Sequence, residues 1–435
     1  MRYRVASEFY EFVTNKKGAT LLIIANKGKL ALMGGEPSCA RKWPVWPVWD
    51  DKERKALLEV LESGKWWYGE KVRQFEAAFA AFQGARFGVT CNSGTTALQT
   101  ALMALGVGEG DEVIVPPYSF IATANTVVSV GGTPVFADIL PNTLCIDPAD
   151  VERKLSPRTK GIMPVHFAGL VADMDRLGEI AEKHKLFILE DACHSWGSQW
   201  KGKGTGALGE CGVFSFQATK NMSSAEGGII LSDNEELSEL CRSYTNVGRL
   251  KGSQWYDHEY LGCNLRMTEF QGALLLAQLT RLEAQTVKRQ ANAELLTREL
   301  RGIPGIRLLE NDPRVTRRSY HIYIFLVDSE QFGISAARFV EALAAEGVPA
   351  YNGYGKPLYA NGLFRKANQA RMRHPISAPL AGRGLDYSDV QCPACEQVCR
   401  DAVWIWQNAL LAEEDDMRAI AATVRKVVEN IEAIR

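Results

Sequence analysis

GECGVFSFQATKNMSSAEGG, residues 209–228, starts as an apolar run at 213–216 and breaks in a polar turn carrying one lysine, Lys220. After Glu226-Gly227-Gly228 it resumes as a second apolar run at 229–231. Short apolar runs bounded by turn residues are strand signals. A lysine between two core strands sits where strand ends open into a cleft, and an amine desolvated there becomes a nucleophile toward carbonyls. Ser215 and the amides of the turn offer an anion site beside it. Two readings stay open on this stretch alone: Lys220 carries an aldehyde cofactor, or it pairs with Glu226 at a strand end.

Outward from this turn the pattern is regular. Apolar runs fall at 87–91, 112–115, 134–137, 161–165, 186–189, 213–216 and 229–231, with helical periodicity at 95–105, 121–130 and 175–184 between several of them. Short β-rich runs alternating with helices predict an α/β layer built on a largely parallel sheet of seven strands. The runs at 113–115 and 187–189 are continuously apolar, as strands covered on both faces are. Residues 264–300 form one long helical pattern that suits a connector between domains. Beyond it, 320–327 alternates as a strand, while 335–346 and 417–431 read as helices of a smaller α+β domain. The expected division is an N-terminal extension at 1–30, a large domain with an N-terminal arm at 31–290, and a small C-terminal domain at 291–435. Residues 41–50, RKWPVWPVWD, are extended because proline disfavours helix; they pack either on a neighbouring subunit or in a groove of their own chain.

Ligands of such sheets bind at the carboxyl ends of the strands. The run at 87–91 enters Asn92-Ser93-Gly94-Thr95-Thr96 and then a helix. Amides at a helix start, a glycine and hydroxyls form a phosphate site, although Ser93 or Thr95 as an ordinary N-cap explains the same residues. The run at 186–189 ends in Glu190-Asp191-Ala192-Cys193-His194. A carboxylate there holds the proton on a pyridine nitrogen. Alternation puts Glu190 and Asp191 on opposite faces, and Asp191 is selected; a turn-capping Asp is the competing reading. His194 is placed to reach the same ring or simply to pack, and Phe120 to cover the ring face. A phosphate cradle, a pyridine partner and a lysine, in that order and each after a core strand, are the minimum set for pyridoxal phosphate. Catalysis is expected from Lys220 and Asp191.

Composition removes other classes. The formal net charge of −1 gives no footprint for nucleic acid or an anionic membrane. No apolar run approaches the roughly 20 residues that cross a bilayer, and the N-terminus is a poor signal peptide. A cytoplasmic setting is expected. The ten cysteines are not spaced as a disulfide framework. Cys392, Cys395 and Cys399 lack a fourth ligand nearby and read as small apolar core residues rather than a metal site.

Several longer motifs carry a resemblance. NSGTTAL after Cys91, VPPYSFIATAN at 115–125, PVFADI at 134–139, MPVHFAG at 163–169, EDACHSWGS at 190–198, FSFQATKN with AEGG, and GCNLRMTEFQGALLLAQL at 262–279 resemble the sugar aminotransferases of the DegT/DnrJ/EryC1/StrS family. These are fold-type I pyridoxal phosphate enzymes, and the likeness covers about residues 30–435. It implies that Lys220 forms the covalent link to the cofactor, that Asp191 holds the pyridine nitrogen, and that Gly94, Thr95 and Ser215 contact the phosphate. Phe120 resembles the stacking aromatic, and His194 sits where the family has His or Gln. Asn264 resembles the asparagine that a second subunit contributes to the phosphate, which implies a homodimer with shared active sites. ALMGGEP at 31–37, WPVWPVWD, SFQ before the lysine and CPACEQVC with AVWIWQNALL are most similar to two branches. One comprises scyllo-inosose and 2-deoxy-scyllo-inosose aminotransferases; the other is 3-amino-5-hydroxybenzoate synthase. Ala225 and Cys193 depart from the usual pattern, which has glycine and a smaller residue there.

The expected activity is a ping-pong transfer of an amino group from glutamine or glutamate to a ketone on a cyclitol or keto-sugar. His321 and Tyr351 are candidate substrate contacts, with packing as the alternative for His321. Competing readings are a dehydratase and aromatase of the aminohydroxybenzoate type, a nucleotide-linked ketosugar aminotransferase, and a non-catalytic regulator that binds the cofactor. Relatives acting as dehydratases carry histidine in place of the lysine, so Lys220 speaks against that route.

Overall fold

The structure is a computed structural model that describes residues 10–14, 20–24, 28–365, 368 and 386–435. Near the N-terminus, β1 (Tyr10–Thr14) and β2 (Thr20–Ile24) pair as an antiparallel hairpin. All seven apolar runs become strands: β3 (Phe87–Cys91), β4 (Glu112–Val115), β5 (Thr133–Phe136), β6 (Thr159–Ile162), β7 (Phe187–Asp191), β10 (Cys211–Ser215) and β11 (Gly228–Ser232). The short strands β8 (Gln199–Trp200) and β9 (Lys203–Gly204) intervene and pair outside this sheet.

The central sheet has seven strands in the order β3-β11-β10-β7-β6-β4-β5, and β11 alone runs against its neighbours. Every residue of β4, β7, β10 and β11 is buried, because helices cover both faces. The run expected to stop at residue 189 continues through Glu190 and Asp191. Asp191 donates its amide to Pro164 O (2.9 Å) and accepts at its carbonyl from His166 N (3.1 Å), so strand pairing carries to the cleft.

The helix Glu269–Leu300 starts five residues later than its periodicity suggested. Thr268 caps it in a reciprocal box with Gln271, while Asn264 bridges Asn246 and Leu265 hydrogen-bonds through its backbone to Thr245 and Asn92 instead. Leu275 and Leu282 pack with the large domain, whereas Leu295, Leu296 and Leu300 join the core of the second layer. That layer is an antiparallel sheet, β12 (Ile306–Leu308), β14 (Ile322–Val327), β16 (Ala402–Trp406) and β15 (Ala350–Asn352), backed by helices Ala336–Ala345 and Glu414–Glu429. Strand β13 (Val315–Arg317) pairs instead with β8.

The Pro/Trp-rich segment lies along its own chain. Trp43 Nε1 donates to Gly347 O (3.0 Å), Trp46 Nε1 to Ala218 O (3.1 Å), and Asn408 Nδ2 to Pro44 O (2.8 Å). It therefore straps the small domain to the loop that carries Lys220. Cys392 and Cys395 are buried in the central apolar cluster. Among the described residues no group of three or more His, Cys, Asp or Glu is arranged to hold a metal, and no helix is long and apolar enough to cross a membrane.

Candidate active site

Strand register assembles the site. Cys91 pairs with Gly228, Gly228 with Ser215, and Asp191 with Val213, so the ends of β3, β10 and β7 lie side by side. A Cβ on Gly228 would stand 2.4 Å from Ser93 O, so a side chain there would drive β11 away from the turn before the next helix. A Cβ on Gly94 would stand 2.8 Å from the Cβ of Ser215 and 3.2 Å from Cys193 Sγ. Two glycines thus let three backbones converge.

A cavity of about 560 Å³ lies over this line, between the strand ends of the central sheet and residues of the second, antiparallel sheet. Ser93, Gly94, Thr95, Phe120, Asp191, His194, Ser215, Lys220 and His321 all border it. Asn264 and Tyr351 do not. Asn264 is exposed and bridges Asn246 through the backbone. Tyr351 is exposed, with its ring 6.2 Å from that of Trp406; Tyr354, three residues on, stands in the wall instead.

Helix Gly94–Ala104 opens onto the cavity. Ser93 is its N-cap, and its Oγ accepts from Thr96 N at 3.2 Å. The cap thus engages the Thr96 amide, while Gly94 and Thr95 border the cavity, so an ordinary cap leaves the helix start facing the cavity.

The two adjacent carboxylates divide as strand alternation requires. Glu190 faces away and is saturated: Gly206 N, Leu208 N and Gly209 N donate to it at 2.6, 2.6 and 2.8 Å, and His166 Nε2 lies 2.8 Å away. Ala172 N donates to His166 Nδ1, so Nε2 carries the proton that Glu190 receives. Asp191 faces the cavity, accepting from Thr123 Oγ1 (2.7 Å) and Cys193 N (3.3 Å).

Lys220 follows β10 in a turn closed by its own amide to Gln217 O (2.9 Å). Its Nζ lies 5.8 Å from the ring centroid of Trp196. Burial pushes its pKa below the usual lysine range, opposed by nearby Cys193 and Asp191; Asp191 rather than Glu226 is the acid that acts on it. The rings of His194 and His321 meet tilted at 49° with centroids 4.5 Å apart, and burial, reinforced by the Lys220 charge, lowers both far below ordinary histidine. His194 Nδ1 is buried without a hydrogen-bond partner.

Tyr354, Trp404 and Trp406 complete the wall, and sequence reasoning assigned none of them to the site. The signal was the VWIW alternation: in β16, Trp404 and Trp406 share one face, opposite Ile324 and Ile322 of β14. Thr123, the donor to Asp191, was equally missed within FIATAN.

Fold and site together define an aminotransferase of fold-type I, an α/β enzyme with a lysine in the turn after β10. The chain belongs to the DegT/DnrJ/EryC1/StrS aminotransferase family, whose profile matches residues 47–423. It is 38% identical over 417 residues to the putative L-glutamine:3-amino-2,3-dideoxy-scyllo-inosose aminotransferase of Streptoalloteichus tenebrarius, covering 94% of this chain and 99% of that one. The crystal structure of 3-amino-5-hydroxybenzoic acid synthase superposes with a TM-score of 0.80 at 34% identity, covering 89% of this chain and 99% of that chain. NtdA from Bacillus subtilis, with bound cofactor PMP, superposes with a TM-score of 0.75 at 27% identity, covering 89% and 87%.

Proposed function

We propose that the chain binds pyridoxal phosphate through Lys220 and moves the amino group of glutamine to a ring ketone of a cyclitol in two half-reactions. The observation that carries this reading is the meeting of Lys220, Asp191, the Gly94–Thr95 helix start and an aromatic wall in one cavity. The site fits a flat, phosphate-bearing pyridine on three counts. Gly94 leaves no room for a side chain beside Ser215, so an anion approaches bare backbone. Asp191 is the one of two neighbouring carboxylates whose oxygens are not saturated by amides. His194 Nδ1 is a buried polar atom that a ring substituent satisfies.

When bound, the cofactor supplies an aldehyde that carries the amine and a conjugated ring that accepts electrons from the carbon losing its proton. Lys220 Nζ then acts as the base that takes the proton from the donor α-carbon and returns it on the cofactor side, a task that suits an amine with basicity reduced by burial. Asp191 holds the proton on the pyridine nitrogen. Ser215, Gly94 and Thr95 hold the phosphate, Phe120 covers the ring, and Trp404, Trp406 and Tyr354 exclude water from the acceptor side. The acceptor is assigned to a polyhydroxylated ring because the wall is aromatic and because the Streptoalloteichus relative is named for glutamine and an inosose.

The functional unit is a homodimer with shared sites. The support for this is that Asn264 is exposed and outside the lining of its own cavity. Trp66, Trp67, Trp255 and Leu261 expose 51, 64, 77 and 91% of their surface, which a second copy covers. Mixing Lys220→Ala with Asn264→Ala protein tests this arrangement: activity returns if each site draws on two chains.

The decisive experiment supplies pyridoxal phosphate and looks for yellow protein, then reduces it with borohydride and maps the label, expected on Lys220. Glutamine labelled with ¹⁵N at its amino group is then offered with scyllo-inosose, its 2-deoxy form or a nucleotide-linked ketosugar. Nitrogen in a cyclitol product supports the reading. Label in the nucleotide sugar reassigns the acceptor, and aromatisation without nitrogen transfer favours the aminohydroxybenzoate route.

A further inference from the structure

Next to Lys220, the Asn221 side chain reaches across the domain boundary. Its Nδ2 donates to Ser319 O at 3.0 Å, and its Oδ1 lies 2.9 Å from His321 Nδ1. The first bond fixes which end of the amide is nitrogen, so the end facing His321 is oxygen, which only accepts. His321 Nδ1 therefore carries a hydrogen. Burial, together with the neighbouring charges, keeps the ring neutral, so Nε2 has a free lone pair.

The support behind this contact is rigid. Ser319 N donates to Ser198 Oγ (3.0 Å), and Ser319 Oγ donates to His194 O (3.3 Å). Tyr320, between Ser319 and His321, is held at φ +48°, a left-handed conformation that a bulky residue keeps only when its surroundings enforce it. Asn221 and His321 are both buried, and His321 borders the cavity beside Lys220. The ionisable groups acting on His321 are His194, Lys220 and Arg289, none of them a carboxylate that would stabilise imidazolium.

We propose that Asn221 is a positioning residue that holds His321 in the Nδ1–H form, so that His321 Nε2 accepts a hydrogen bond from a hydroxyl of the ring ketone. The inference rests on the aminotransferase reading with a polyol acceptor. It places acceptor recognition on an imidazole tied to the loop of the reactive lysine, so the acceptor and the amine are positioned by one side chain. A hydroxylated acceptor supplies the donor that a neutral Nε2 needs.

The test has two arms. In cofactor-free wild-type protein labelled with ¹⁵N-histidine, the His321 signals, assigned by difference against His321→Gln, are expected to show a protonated Nδ1 and a bare Nε2. The opposite tautomer overturns the proposal. In holoenzyme, Asn221→Asp puts a carboxylate beside Nδ1, which favours imidazolium and turns Nε2 into a donor. The acceptor half-reaction with scyllo-inosose then gains an acid limb, with kcat/KM falling roughly tenfold below the new pKa and recovering as pH rises. The glutamine half-reaction keeps the pH profile of the wild type. No new limb, or the same limb in both half-reactions, overturns the assignment. If wild-type protein takes no amine from glutamine, the parent reading fails instead, and the tautomer measurement still stands by itself.

Discussion

Asp191 Oδ2 accepts a 2.7 Å hydrogen bond from Thr123 Oγ1, a hydroxyl delivered by the helix that follows β4. Because that proton goes to the carboxylate, the 2.7 Å contact between Ser119 Oγ and Thr123 Oγ1 has Ser119 as donor. The relay aims one carboxylate oxygen and lowers its charge demand, and both hydroxyls are buried. Thr123→Val keeps the shape and removes the donor. The expected cost is about 1–2 kcal/mol, a five- to thirtyfold slower glutamine half-reaction, because the partner is charged and desolvated. Thr123→Ser is expected to restore most of the rate. Stopped-flow spectra of the two variants check this, and equal rates in wild type and Thr123→Val would sink it.

Lys220 titrates below an ordinary lysine because burial penalises its ammonium form. The neutral amine is the nucleophile, so a lowered pKa means that more of it is reactive at neutral pH. Recombination of cofactor-free protein with pyridoxal phosphate is therefore expected to speed up as pH rises and to level off below the value of about 10.4 of a free lysine. Linkage carries the same sign: folding disfavours the proton on Lys220, so its contribution to stability improves as pH rises through the folded pKa. Lys220→Ala is expected to lower transamination by at least about a hundredfold, the low end of what a positioned base contributes. A rate profile that keeps rising to the pH of surface lysines would contradict the burial argument.

The sheet was legible because most of its strands are buried: short apolar runs between turn residues marked all seven of them, four of which are covered on both faces. The candidate residues Lys220, Asp191 and Gly94 drew attention for the same reason, each lying a few positions past the end of such a run. What escaped depends on contacts between segments far apart in sequence. Asp191 belongs to the strand because Val213 on one side and Pro164 and His166 on the other pair with it, and nothing within residues 186–194 encodes that. Thr123 looks like an ordinary helix residue until its hydroxyl is seen 68 positions from its partner. Tyr351 and Tyr354 lie three residues apart and nothing in the sequence separates them; only the packing of Tyr354 on Trp404, with centroids 4.9 Å apart, sets the second in the wall. Asn221, hidden beside the lysine, acquires meaning from a histidine 100 residues later.

Ala225 occupies φ +68°, in the left-handed region where a Cβ crowds the backbone. Its amide is tied to Ser223 Oγ at 3.0 Å, which fixes the turn just before Glu226 borders the cavity. Relief of the crowding outweighs the extra freedom glycine gives the unfolded chain. Ala225→Gly is expected to stabilise the protein by about 0.5–1 kcal/mol, as the difference of those two effects. Calorimetry on cofactor-free protein should show a higher transition temperature, and a lower one would mean that the turn relaxes in solution. Since the turn leads directly from Lys220 to Gly228, its rigidity also bears on the lysine loop.

Gly228 serves the fold and the candidate site at once. It sits in β11 between Cys91 and Ser215, and an added Cβ would lie 2.4 Å from Ser93 O, 2.5 Å from its carbonyl carbon and 2.8 Å from Gly94 N. All three are backbone atoms at the start of helix Gly94–Ala104, so no side-chain rotation relieves the clash. Gly228→Ala must push the helix start away from Ser215, at a cost of about 1–3 kcal/mol of the overpacking kind. The displacement opens the proposed phosphate site while leaving Lys220 and Asp191 in place. The variant is therefore expected to bind pyridoxal phosphate several-fold more weakly but to bind pyridoxal, which lacks the phosphate, about as well as wild type does. Titration with both aldehydes separates the outcomes. Equal weakening of the two would show that β11 shifted the lysine turn rather than the helix, and unchanged affinity for both would remove the helix start from the proposed phosphate site.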